Sequence, residues 1–478
     1  MPLHEVSGRE LARRIREREA SARVVCEAHI AAIRRVNPVL NAVVATRFDD
    51  ALAEADAVDA QVKRGDALPP YAGVPCTIKE SFAVTGMPQS SGLWARRNVR
   101  ATEDAPTVAR LRAAGAIVLG VTNVSELCMW MESNNRVYGR SNNPYDPTRI
   151  VGGSSGGEGA IVGAGASPFG LGADVGGSIR MPAFFNGVFG HKPSAGLVPN
   201  RGQYPVTEGE GLKLLSTGPL CRRAEDLYPL LEVLAGPDPE DPGTRELPLR
   251  DPSSVDLSKL RVLVVDGDGV SRVSAELVSA QRRVADVLAR RGARVRHERI
   301  GALKRTLEVW SAAMSAAAGT RFAELLGNGR RVRAGRELGR WLLGRSPHTL
   351  PAIALALLEG WADKLEEHQR HMLAMGGELR GELTDRIGED GIMLYPPYPT
   401  AAPRHFMPML PPIRWAYTAL FNVMHFPVTQ VPLGLGPQGL PLGVQVASVH
   451  GNDHVTIAVA EELERALGGW VVPKARAR

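Results

Sequence analysis

Cysteine is scarce: the 478 residues hold four, Cys26, Cys76, Cys128 and Cys221, far apart and without a CxxC pair. That spacing excludes a disulfide framework and a zinc ribbon, and it fits thiols kept reduced inside a cell. The eleven histidines are equally scattered. No His-Glu-x-x-His or similar cluster occurs among them, so a dedicated metal site is not expected. No window reaches the roughly 18 consecutive apolar residues of a membrane span. The opening stretch MPLHEVSGRELARRIRERE is charged throughout and reads as neither a signal peptide nor an anchor. A cytoplasmic chain without a transmembrane segment is the expectation. Charge of one sign is also limited. The net +6 equals the excess of one segment, 301–345, with nine basic and three acidic residues. Aromatic residues do not interleave there as in a nucleic-acid stacking platform, and no nucleic-acid partner is expected.

What remains is ordinary for a globular chain, with 44% apolar and 23% charged residues. The length allows two or three average domains or one large α/β unit. Residues 7–62 carry helical periodicity through Leu11, Ile15, Val24, Ile30 and Ile33. Gly73–Lys79 reads as a strand ending in a lysine, 116–121 as a buried strand, and 260–299 as a strand–helix–strand unit. From 301 to about 375 the pattern is almost purely helical, and strands return at 391–395, 428–432 and 442–447 before a last helix over 455–467. The alternation predicts an α/β fold with a mostly parallel or mixed sheet between helical layers. The expected organisation is an N-terminal helical segment (1–62) packed on the core, a core section (63–300), a helical insertion near the substrate entrance (301–375) and the rest of the same core (376–478).

Glycine is concentrated in one place. Eleven of the 27 residues from 151 to 177 are glycine. Within and just beyond that stretch lie two serines, Ser154 in Gly-Gly-Ser-Ser-Gly-Gly-Glu (152–158) and Ser178 in Asp-Val-Gly-Gly-Ser-Ile-Arg (174–180), 24 positions apart. Glycine lets a ligand approach the main chain closely, which suits a nucleophile surrounded by backbone N–H donors. No Gly-x-Ser-x-Gly elbow occurs, which disfavours an α/β-hydrolase triad. His191 has no signature tying it to Ser178. Lysine is the alternative base: burial disfavours its charged form, and Lys79 follows an uncharged strand. A Walker loop is excluded because no Gly-Lys-Ser/Thr follows the glycines.

These motifs, with Gly73-Val-Pro-Cys-Thr-Ile-Lys79 upstream, resemble those of the amidase signature family. Thr122-Asn-Val-Ser-Glu126, Gly139-Arg-Ser-Asn-Asn-Pro144, His191-Lys-Pro193 and Gly218-Pro-Leu220 fit the same pattern. Within that family the C-terminal cues Phe421-Asn-Val, Gly439–Gln445, Asn452-Asp453 and Gly468–Pro473 are most similar to fatty acid amide hydrolases. The resemblance implies the amidase-signature α/β/α fold and a cofactor-independent amidohydrolase with an acyl-enzyme intermediate. It implies Ser178 as nucleophile, Ser154 as the serine of a cis peptide and Lys79 as base. The N–H groups of Val175, Gly176, Gly177 and Ser178 would form the oxyanion hole, with Ser155, Asp174 and Arg180 in support. Alternatives are an amidase-like glutaminase component of a tRNA amidotransferase, or a non-catalytic binding protein on the same fold.

Three further readings concern the surroundings of these motifs. Met129, Trp130 and Met131 are candidate acyl-pocket residues, although such residues commonly fill core gaps. Cys76 and Cys128 read as buried small hydrophobes. Apolar residues over 330–361, including Trp341, Leu342, Leu343 and Leu358, lie among arginines. They are expected to pack on the core or in a homodimer, with weak peripheral membrane contact as the alternative.

Overall fold

Runs such as Ile-Val-Leu-Gly-Val-Thr (117–122) carry no charged residue and no alternation, which suits a strand covered on both faces. The computed structural model describes residues 2–362, 366–409 and 414–474 and places these runs in one eleven-stranded mixed sheet. In chain order the strands are β1 (Val43–Thr46), β2 (Pro75–Lys79), β3 (Ile117–Thr122), β4 (Asn134–Asn135), β5 (Gly139–Arg140), β6 (Phe169–Asp174) and β7 (Phe189–Lys192). They continue with β8 (Ser216–Cys221), β9 (Arg261–Val264), β10 (Arg294–His297), β11 (Gly391–Tyr395), β12 (Val428–Leu435) and β13 (Pro441–Ala447). β4 and β5 form a separate two-stranded ribbon, and the main sheet runs β1-β3-β2-β6-β8-β7-β12-β13-β11-β9-β10. Its parallel pairs are β3–β2, β2–β6, β11–β9 and β9–β10, and the centre is antiparallel.

Alternation along the strands divides the core into two layers. On β9, Val262 and Val264 join one apolar cluster while Leu263 joins the other. On β11, Ile392 and Leu394 face the first cluster, and Met393 and Tyr395 the second. Helices Ala275–Arg290 and Asp453–Leu467 contribute to the first layer; Thr306–Ala317, Glu366–Ile387 and Ala416–Val423 contribute to the second.

The segment 322–362 forms a smaller cluster of its own, in which Ala323, Leu326, Ala352 and Ala356 meet Leu93 and Leu127 of the core. Buried Glu126 anchors it, accepting from Thr349 N–H at 2.7 Å and pairing with His348 Nδ1 at 2.9 Å. Ile353 is buried as expected, whereas Leu342, Leu343 and Leu358 stand exposed. Among the described residues no helix is long and apolar enough to cross a membrane.

Among the strands not read from the sequence are β1, β7 and β8. β1 lies inside the segment read as helical and pairs antiparallel with β3 at the sheet edge; four residues are too few to carry a period. β7 and β8 contain Gly, His, Lys, Pro and Thr although every residue in them is buried, so composition disguised them.

Candidate active site

On β2, side chains at alternate positions share a face, so Thr77 and Lys79 point together and Cys76 and Ile78 oppose them. Lys79 is fully buried, and its Nζ lies 2.7 Å from Ser154 Oγ and 3.5 Å from the Ala173 carbonyl oxygen. Among the described residues it forms no ion pair. Burial pushes its pKa below the ordinary lysine range, opposed by neighbouring Cys128, Asp174 and Glu158. A lysine hydrogen-bonded to a neutral hydroxyl in such surroundings holds its proton weakly.

Ser154 follows a cis peptide bond from Gly153. The turn is tied down by Ser133, whose Oγ accepts from Gly156 N–H at 3.0 Å and lies 3.1 Å and 3.2 Å from the carbonyl oxygens of Gly152 and Ser154. Ser155 N–H donates to the Ser178 carbonyl at 3.2 Å, and Ser155 Oγ spans to the Ala173 backbone. The two glycine-framed loops are therefore joined through Ser155. The helix Gly156–Gly163 begins directly after this turn.

Ser178 lies in the turn between β6 and the helix Arg180–Phe185 and is 8% exposed. Asp174, the last residue of β6, organises that turn. Its Oδ1 accepts from Gly177 N–H at 2.7 Å, and its Oδ2 accepts from Ile179 N–H at 3.1 Å. Arg180 closes on the same carboxylate through Nε at 3.0 Å and an η nitrogen at 2.9 Å, with both side chains fully buried. Burial alone would raise the Asp174 pKa, but the Arg180 charge and hydrogen bonds hold it well below the usual carboxylate range. Arg180 also reaches Gln445 at 2.9 Å and Asn422 at 2.6 Å, and Asn422 Nδ2 donates back to the Asp174 carbonyl at 2.9 Å.

Four amides, of Val175, Gly176, Gly177 and Ser178, were expected to face an oxyanion. The Gly177 amide is taken by Asp174, whereas those of Val175, Gly176 and Ser178 have no acceptor among the described residues. Gly177 sits at φ 122°, and a Cβ there would overlap Thr418 Oγ1. Thr418 in turn donates to the Gly176 carbonyl at 2.7 Å, and Trp310 Nε1 donates to the Val175 carbonyl at 2.8 Å. Outward-turned carbonyls are thus held by side chains, leaving adjacent N–H groups on the other side of the turn.

Of the three candidate pocket residues, Met129 packs against the second apolar cluster, to which Val175, Trp310 and Trp415 also belong or pack. Trp130 packs against the main core, and Met131 is buried within it. Trp310 and Trp415 meet edge to face at 4.5 Å. Cys76 is buried as expected, but Cys128 is not: it is half-exposed, has φ 59° and lies beside Lys79. Asn422 and Gln445 appeared in the sequence only as motif letters, and Thr418, Trp310 and Ser133 had no local signal. One sign was available for the first two. A polar residue inside a wholly apolar element must find a buried partner.

Residues 24–457 match the family model described as Amidase. Across 99% of this chain and 91% of the relative, the sequence is 47% identical to "Fatty-acid amide hydrolase 2" of Homo sapiens. It is 37% identical to "Indoleacetamide hydrolase" of Bradyrhizobium diazoefficiens, over 65% of this chain and 59% of that relative. In fold, it superposes on a bacterial aryl acylamidase of the amidase signature family with TM-score 0.85, 24% identity and full coverage of both chains. The chain belongs to the Amidase family and is an amide-hydrolysing enzyme.

Proposed function

We propose that the enzyme cleaves carboxylic amides with an apolar acyl group, fatty or aryl, through a Ser178–Ser154–Lys79 relay. The observation that carries this reading is the buried Lys79 amine, 2.7 Å from Ser154 Oγ and without an ion pair among the described residues. An unperturbed lysine with a pKa of about 10.4 is only about 0.4% neutral at pH 8. Each unit by which burial lowers that value raises the neutral fraction about tenfold. Neutral Lys79 accepts a proton from Ser154 as Ser154 takes one from Ser178, and Ser178 Oγ attacks the amide carbonyl. The Val175, Gly176 and Ser178 amides receive the developing oxyanion, each such donor contributing about 2.7–4 kcal/mol to the transition state. Collapse expels the amine, protonated by the same relay, and leaves an ester on Ser178. Water, deprotonated by the relay, then releases the acid. No step calls on a cofactor.

The acyl group is assigned to the apolar wall formed by Trp310 and Trp415, because Trp310 adjoins Val175 and Gly176 of the turn that carries Ser178. Esters and carbamates present a similar carbonyl and are candidate secondary substrates. The test is hydrolysis by purified enzyme of amides with acyl chains of graded length, with glutamine included to probe the glutaminase alternative. Ser178→Ala is expected to lower kcat by at least about 10³-fold. Unchanged hydrolysis in that variant, or glutamine as the preferred substrate, overturns the proposal.

A further inference from the structure

Glu158 has no part in the relay, yet it is buried completely on the Lys79 side of β2, in the first turn of the helix that follows Ser154. Its Oε2 accepts from Thr77 Oγ1 at 2.7 Å and its Oε1 from Thr122 Oγ1 at 2.9 Å. Thr77 shares the Lys79 face of β2, and Thr122 is the register partner of Lys79 across the parallel β2–β3 pair. The carboxyl group is therefore gripped by two residues that also flank Lys79. β6 makes room for it at Gly170, where a Cβ would overlap Oε2. Among the described residues, no arginine or lysine forms an ion pair with Glu158.

We propose that Glu158 is a positioning residue for the reaction, the buried counter-group whose charge governs the protonation of the Lys79 amine. This rests on the reading of Lys79 as the proton acceptor. The interaction is mutual: a charged Glu158 favours the Lys79 ammonium, and that ammonium favours the carboxylate. Burial pushes Glu158 up to about 8, against the pull of the two threonine hydroxyls and Lys79. As the pH rises through that range the carboxyl gains its charge, which holds the Lys79 ammonium more firmly and so raises the pH at which the free amine appears. The other groups facing the pair differ in character. Asp174, from β6, is already neutralised by Arg180. Cys128 borders Lys79, and the buried Cys76 thiol, on the opposite face of β2, is held protonated by burial. Ser167 and the two threonines are uncharged. Glu158 is thus a carboxyl group near Lys79 whose charge changes in the working pH range.

The experiment is the pH dependence of the second-order rate at which a fluorophosphonate probe labels Ser178. Glu158→Gln keeps the shape of the side chain and removes its charge. Its midpoint is expected to fall relative to wild type, by up to about one pH unit, because a neighbouring opposite charge favours the ammonium and its removal releases the amine at lower pH. An unchanged or raised midpoint overturns the proposal. Thr122→Val removes one donor to the ionised carboxylate and is expected to shift the midpoint the same way by less. A shift to higher pH in this variant overturns the proposal even if Glu158→Gln fails to fold. Lys79→Ala separates the two claims: labelling at the wild-type rate overturns the reading of Lys79 as base, whereas loss of labelling supports it.

Discussion

Replacing Arg180 with Met exposes how the turn that carries Ser178 is held. The variant keeps most of the apolar stem but removes both guanidinium bonds to Asp174, at 2.9 Å and 3.0 Å, and the contacts to Gln445 and Asn422. Asp174 stays fully buried, with the backbone amides of Gly177, Ile179 and residue 180 and the Asn422 side chain as its remaining donors. Removing one partner of a buried pair costs about 3–5 kcal/mol. Unfolding entropy is about 2.1 cal/mol/K per residue, which sums to about 1 kcal/mol/K for a chain this long. The melting temperature at pH 7 should therefore fall by only about 3–5 °C. Activity is the more sensitive readout, because the same carboxylate orients the turn that presents three amides. A misplaced donor should lower kcat/KM by roughly 10²–10³-fold.

The pH dependence has a definite sign. In wild type the folded pKa of Asp174 lies below its unfolded value. That contribution is therefore present above about pH 4 and is lost as the pH falls through the folded value. Without Arg180, burial raises the carboxyl, so the deficit of the variant should shrink on acidification toward pH 5. Asp174→Asn added to Arg180→Met should recover part of the melting temperature at pH 7, since no charge is then stranded. Calorimetry and steady-state kinetics across pH 5–8 make the test. A deficit below about 1 °C together with kcat/KM within tenfold of wild type would refute the idea that this pair holds the turn.

Two other variants probe the surroundings of that turn. Gly177→Ala forces a Cβ onto Thr418 at φ 122°, and kcat should drop about 10²-fold with little change in KM; Gly339→Ala, with open space around it, should leave kinetics unchanged. Lys192 is buried against the Pro193 carbonyl and Ser216, and burial, reinforced by Arg180, lowers it to about 7. Between pH 7 and about 10 the unfolded chain holds more protons at this group, so its destabilising contribution fades as the pH rises. Lys192→Met should accordingly melt higher than wild type at pH 7, with the gain shrinking by pH 9, as read by scanning calorimetry; an equal gain at both values would contradict the assignment.

What the sequence disclosed follows from where each signal resides. Lys79, Ser154 and Ser178 lie in compact motifs, and continuous apolar runs such as Ile117–Thr122 are enough to identify doubly covered strands. β7 and β8 lacked that signal because their polar and glycine residues are satisfied inside the sheet; His191 on β7, for example, bonds Thr429 and Asp453. The support of the turn was hidden for another reason. Asn422 and Gln445 lie more than 240 residues from Arg180 in sequence, and only folding brings them together. Direction of a single N–H was also beyond reach: the family resemblance implied four donors, but Asp174 claims the one at Gly177. Cys128 read as a core hydrophobe because nothing in its motif reports that the backbone turns it toward Lys79.

The central claim is that Lys79 is a neutral amine when the enzyme works. Titrating its Nζ directly, by NMR of 15N-lysine-labelled protein with Lys79→Met used to assign the signal, tests that claim without reference to any substrate. The account predicts a midpoint at least about two units below the 10.4 of free lysine, close to the midpoint of the pH–rate profile. An amine still fully charged at pH 10 would contradict it.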